Sequence, residues 1–224
     1  MTRNVVLLVL DSVRKDFFDE YAPRLQALAD VSFDQCRSAS SWSPPSHASI
    51  MTGQLPHRHG VHSANRDFSG IDRSDTFLSG LPDHEARGVS ANVYASSAYN
   101  FDRLFDDFAD VNPHRRFSGG SDIRELGHRI DSGGKQLYLD FIKEVLKTEN
   151  TFKTGLNTLY SEFKSVIEGL PVPNLVGEGG RLVSRRVSQY AADDEPFFVF
   201  ANFMDAHDPQ QHLRGFDKSL HSAP

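Results

Sequence analysis

The chain has 224 residues, 38% of them hydrophobic and 24% charged, a balance ordinary for a water-soluble globular protein and sufficient for one large domain or two small ones. Its formal charge is −6 and its 24 Lys and Arg are scattered rather than striped, which argues against nucleic acid as the main partner. One cysteine, Cys36, excludes an internal disulfide, so the fold does not rest on oxidation.

In chain order, "NVVLLVL" (residues 4–10) is a continuous β-branched and Leu run, the pattern of a central strand covered on both faces. It lacks a small-residue cleavage site, is followed at once by Asp11, and is far short of the roughly 20 apolar residues that span a bilayer. No targeting or membrane segment is read, and the expected location is the cytoplasm. Residues 22–30 have helical spacing, with Pro23 suited to a first turn. "VSFDQCRSA" (31–39) alternates like a second strand and makes Cys36 a small buried hydrophobe. "PPSHASIMTG" (44–53) reads as a short helix stopped by Gly53. "GVSANVYAS" (88–96) reads as a strand, and "PFFVFANF" (196–203) as the strongest strand after the first. Between them, residues 121–180 are amphipathic helix material, best seen in "KQLYLDFIKEVLKTENTFKTGLNTLYSEFKSVIEGL". That segment is expected to be a helical insertion packed beside the sheet, a plain covering layer or a lid. Strands alternating with helices give an α/β class: a largely parallel central sheet flanked by helices.

Three places carry chemistry. Asp11 ends the first strand, where ligands of open α/β sheets bind, and has two readings: a ligand of a hard cation or a cap of the next turn. Ser43 precedes Pro44 and Pro45, and also has two. It caps a helix, or it is a hydroxyl held in the positive field of a helix start, where an alkoxide, sulfate or phosphate is stabilised. Ser46 and His47 lie on the same first turn and are candidates to bind the anion. Asp205 and His207 follow the last strand, so two strand ends and one helix start converge. His59, in "PHRHGV", is expected to serve packing and local hydrogen bonds.

"NVVLLVLDSVRKD", "SWSPPSHASIMTGQLPHRHGVH", "GVSANVYASSAYNFDRLFDDF" and "PFFVFANFMDAHDP" resemble, in this order, the N-terminal half of sulfatases, of the alkaline-phosphatase-like superfamily. The second block is similar to the signature Cys/Ser-x-Pro-Ser-Arg-Ala-Ser-x-x-Thr-Gly: Ser43, Pro45, Ser46, Ala48, Ser49, Thr52 and Gly53 match. The resemblance implies that the chain, 1–224, is the N-terminal part of a sulfatase-like catalytic domain acting on small-molecule or glycan sulfate esters. Asp11 and Ser43 would hold a divalent cation (Ca, or Mg, Mn or Zn). Ser43, as serine or as formylglycine, would be the nucleophile. His207 would meet the anion's oxygens or protonate the leaving group.

Three departures refine this. Ser12 stands where many sulfatases have a second Asp, which weakens the cation site and leaves the metal's identity open. His47 replaces the signature Arg that is read during formylglycine formation, so Ser43 can remain a plain serine. That opens a second reading, a phosphodiesterase or phosphotransferase with unmodified Ser43. The later metal-binding block of these enzymes has no counterpart after Pro209, so the fold is expected to be incomplete at its C-terminus, and a non-catalytic remnant is a third reading.

Overall fold

A computed structural model describes residues 3–111, 120, 121, 123, 126, 130, 135–168 and 179–207. Four strands, β1 (Val5–Leu10), β2 (Glu85–Ser90), β3 (Asp107–Asp110) and β4 (Phe197–Phe203), form one sheet in the order β1-β4-β2-β3, with every neighbouring pair parallel. The helices are α1 (Lys15–Tyr21), α2 (Pro23–Gln26), α3 (Ser43–Thr52), α4 (Pro56–His59), α5 (Lys135–Leu146), α6 (Thr151–Glu168) and α7 (Gly180–Tyr190). This is the α/β architecture with a parallel sheet that the alternation of elements implies.

Strand β4 organises the interior. Its alternating side chains feed two separate cores, because neighbouring residues of a strand face opposite ways. Phe198 and Phe200 join Ala48 and Met51 of α3, Phe68, Phe101 and Leu104 on one face. Phe197, Val199 and Ala201 join Val89 of β2 with Val183 and Tyr190 of α7 on the other. Both faces of β4 are thus covered, which is why seven apolar or amide residues run together in its sequence. Gly88 of β2 lies against the Phe108 ring, and a Cβ there would collide with it.

Several expectations are corrected. Strand β1 is an edge strand: Val6 is 48% exposed and Leu8 45%, so only one face is covered among the described residues. Residues 31–38 hold no strand, and Cys36 is exposed, because their alternating pattern finds no sheet partner. The helix expected over 22–30 is only the four residues of α2, Pro23–Gln26, opened by Pro23, while α1 lies before that range at Lys15–Tyr21. Strand β2 starts three residues before Gly88 and stops at Ser90, since its pairing partner is Phe197 to Asn202 of β4. The 121–180 segment does contain helices, α5 and α6. Their apolar residues Leu139, Ile142, Leu146 and Phe152 are exposed, so the covering role expected of them is not seen among the described residues.

Candidate active site

Helix α3 begins where the chain leaves an extended Trp42 (φ −150°, ψ 166°). Pro44 and Pro45 lock the next φ angles and have no N–H to leave orphaned. Gly53, at φ 68°, ends the helix and returns its N–H to Ser49 O at 2.8 Å. Ser43 is therefore the first helical residue and Trp42 occupies the cap position, without a side-chain cap bond. The two prolines also remove two of the N–H groups that a helix start usually offers an anion, and the N–H of Ser46 is bonded to Trp42 O at 3.4 Å. Donors to an anion must come mainly from side chains.

One such side chain is Asn92, two residues beyond the end of β2 and 1% exposed. Its Oδ1 accepts from the Tyr94 N–H at 2.8 Å, which fixes the amide so that Nδ2 points into the site. Nδ2 donates to Asp11 Oδ2 at 2.7 Å and to Ser43 Oγ at 2.9 Å. The Ser43 hydroxyl in turn donates to Asp11 Oδ2 at 3.2 Å. Asp11 follows β1, its own N–H bonded to Phe203 O of β4 at 3.0 Å, and its other oxygen accepts from Ser12 Oγ at 3.1 Å. Ser12 sits at φ 62°, a left-handed conformation that side chains other than Asn, Asp or Gly seldom adopt and that marks a constrained turn. Residues from the ends of β1 and β2 and the start of α3, 32 and 81 positions apart from Asp11 in sequence, thus meet on one carboxylate oxygen.

The histidines divide. His47 is 3% exposed and packs edge-on against Phe101 and Phe200. Its Nδ1 lies 2.7 Å from Ser43 O, a group that only accepts, so Nδ1 carries the proton; Nε2 then accepts from Asn202 Nδ2 at 3.1 Å. Burial pushes its pKa below the usual 6.5, against weaker upward pulls from the Ser43 carbonyl and Asp11. Both ring nitrogens are engaged within the protein, so the anion contact expected of His47 gives way to bracing of the Ser43 backbone from β4. Ser46, the other candidate on that turn, bonds to Ser40 O at 2.9 Å and Ser38 Oγ at 2.8 Å, tying the incoming loop to α3. His59 accepts from the Val61 N–H at 3.1 Å and bonds Ser49 Oγ at 3.0 Å; it holds the turn after α3. His207 lines the same cleft as Asp11, Ser12, Ser43 and Asn92. Asp205 does not join them: its carboxylate lies against Gly180 at the start of α7.

The cleft is about 550 Å³, and around Asp11 the groups that could hold a cation are oxygens: the Asp11 carboxylate and the Ser43 and Ser12 hydroxyls. That chemistry suits a hard divalent cation, but one carboxylate and two hydroxyls fall short of its usual six or more ligands. No group of three His, Cys, Asp or Glu fit to hold a metal is found among the described residues. Asn92 was missed by sequence reasoning, which ran β2 through to Ser96. The signal was there: "SAN" ends a strand as "VLD" does, one polar residue delivered to the same edge of the sheet.

Residues 5–105, a little under half of the chain, match the family described as type I phosphodiesterase / nucleotide pyrophosphatase. Over that stretch the match agrees with the resemblance to the alkaline-phosphatase-like superfamily read from the sequence. No curated protein matches. Among 11 matching chains of solved structures is the crystal structure of Ps i-CgsB in complex with k-i-k-neocarrahexaose, similar at 17% identity and a TM-score of 0.49 over 93% of this chain. The chain spans about half of that protein, 46% of its length.

Proposed function

We propose that the chain carries the nucleophile of a hydrolase of anionic esters, with sulfate esters of small molecules or glycans as the leading substrate class. The observation that carries this is the Ser43 hydroxyl, placed at the start of α3 between a carboxylate that can take its proton and an amide that can stabilise its oxygen. In this reading Ser43 Oγ attacks the sulfur as its proton passes to Asp11 Oδ2 and the bond from sulfur to the alcohol oxygen breaks; water then attacks the sulfuryl group on Ser43, Asp11 returns the proton to the departing Oγ, and sulfate leaves. His207, in the cleft wall, protonates the departing oxygen. The Asn92 amide, held by the Tyr94 N–H, stabilises negative charge on the attacking oxygen without having to reorganise. A divalent cation bound at Asp11 and Ser43 would add neutralisation of the ester's charge. The match of Pro45, Ser46, Ala48, Ser49, Thr52 and Gly53 to the sulfatase signature supports the sulfate reading.

A second reading has a specific observation in its favour. The matching family is one of phosphodiesterases, and His47 replaces the Arg that precedes formylglycine formation. An unmodified Ser43 acting on phosphate diesters follows from both. The two are separated by the mass of the peptide containing Ser43, one hydrogen molecule lighter for formylglycine, and by hydrolysis of p-nitrophenyl sulfate against bis(p-nitrophenyl) phosphate with divalent cations varied. Ser43→Ala should cost on the order of 10³-fold or more in whichever rate is found, and Asn92→Ala about 10²-fold. Absence of turnover with either ester and every cation would overturn the proposal in favour of a non-catalytic, anion-binding remnant.

A further inference from the structure

One wall of the cleft serves none of the steps above. Trp42 is the neighbour of Ser43, and Tyr94 follows Asn92 by two positions; both line the cleft. Their rings stand edge to face, with centroids 5.8 Å apart and planes at 74°, and Tyr94 is backed by Tyr99 at 5.4 Å. The Arg66 guanidinium lies 5.5 Å from the Trp42 ring centre and 5.9 Å from that of Tyr94. Arg66 is exposed, and it has no ion pair among the described residues. On a chain of net charge −6 whose cleft already holds Asp11, a cation with no ion pair among the described residues, set against two aromatic rings of the cleft wall, is out of character with its surroundings.

We propose that Trp42, Tyr94 and Arg66 form a subsite for the alcohol portion of the ester, and that this portion is a ring bearing a second anionic group. The wall is aromatic and positively charged at once. Aromatic faces accept a sugar or aryl ring, and the guanidinium presents several N–H donors in a plane that matches a sulfate, phosphate or carboxylate. An ester with one anion would use only the Ser43 end of the cleft; a second anion one ring away meets Arg66. This rests on the reading of the cleft as an ester site, and it narrows the substrate class from any anionic ester to polyanionic, ring-bearing ones.

Trp42 is the sole tryptophan, so the intrinsic fluorescence of the chain reports on this wall without any need for turnover. The probes are methyl sulfate, a hexose monosulfate, a hexose disulfate, phenyl sulfate and 4-carboxyphenyl sulfate. The expected result is a saturable change in emission with ring-bearing ligands and none with methyl sulfate, with the dianionic member of each pair bound about tenfold more tightly. Arg66→Ala should erase that tenfold preference and Arg66→Lys restore part of it, while Tyr94→Leu should weaken monoanion and dianion alike. A stronger response in the hexose pair assigns the ring to a sugar, and in the aryl pair to an aromatic alcohol. Equal binding of monoanion and dianion by the parent chain, or a preference that survives Arg66→Ala, would overturn the subsite. That failure is separable from failure of the ester reading: Ser43-dependent hydrolysis with no dianion preference removes the subsite alone, whereas a dianion preference with no Ser43-dependent hydrolysis removes the ester reading alone.

Discussion

The two strands that read most strongly in the sequence, β1 and β4, end in opposite circumstances. Strand β4 lies between β1 and β2, six of its seven residues are buried, and Phe198 and Phe200 fill one core while Phe197, Val199 and Ala201 fill the other. Strand β1 is an edge, and Val6 and Leu8 on one face stand half in solvent. A continuous apolar run therefore specifies a strand but not the number of its covered faces; the cover is set by what packs on it. Yet both strands deliver to the cleft, β1 through Asp11 and β4 through Asn202, which holds His47. The difference is in how each is held: β4 is covered by buried packing on both faces, whereas β1 has its ladder to β4 and one packed face, with Asp11 held by part-buried hydrogen bonds from Ser43 and Asn92.

The largest expected effect tests that contrast directly. Phe200→Ala should cost about 3–5 kcal/mol in urea unfolding, whereas Leu8→Ala, on the exposed face of β1, should stay under about 1 kcal/mol. Comparable losses would mean that the open face of β1 is covered in the folded protein. A smaller effect follows from His47. Its proton affinity is depressed by burial, so the unfolded chain binds a proton that the folded chain refuses. Stability should be unaffected by this group above the ordinary value of 6.5 and should fall as the pH drops below it, toward the lowered value in the fold. His59 is shifted the same way, chiefly by burial, and adds to the same slope. The slope of unfolding free energy between about pH 6.5 and 5.5 should flatten in His47→Asn, though that variant is less stable at neutral pH; an unchanged slope would remove His47 from the braced side. The smallest effect concerns the β1 side: exposed Cys36 should react with a thiol-disulfide reagent in the native protein within about an order of magnitude of its rate in urea. Strong protection would show that residues near Cys36 are covered after all.

The parts legible in the sequence were those whose signal is local. Pro44, Pro45 and Gly53 punctuate α3 through their own backbone limits, and Asp11 is marked by the strand it ends. Illegible were those decided by distant partners. The alternation at residues 31–39 meets the demands of a strand, but a strand also needs a neighbour with unpaired groups, and no sequence pattern reveals its absence. The role of His47 depends on Asn202, 155 positions away, and on two phenyl rings that bury it. The sequence offered an imidazole near an anion site; the packing turned it inward.

Finally, the register of the sheet has a consequence for the order of assembly. Val5 pairs with Phe198, and β2 pairs with the same strand from its other side. During synthesis the first strand therefore has no place in the sheet until nearly the whole described chain has been made, and closing so long a loop is slow. Until β4 arrives, Asp11 and Asn92 have no sheet to hold them beside Ser43, and His47 lacks its bond to Asn202. The residue 43 segment therefore lacks its partners from β1 and β4 until β4 is made, and its hydroxyl is still open to other chemistry during that interval.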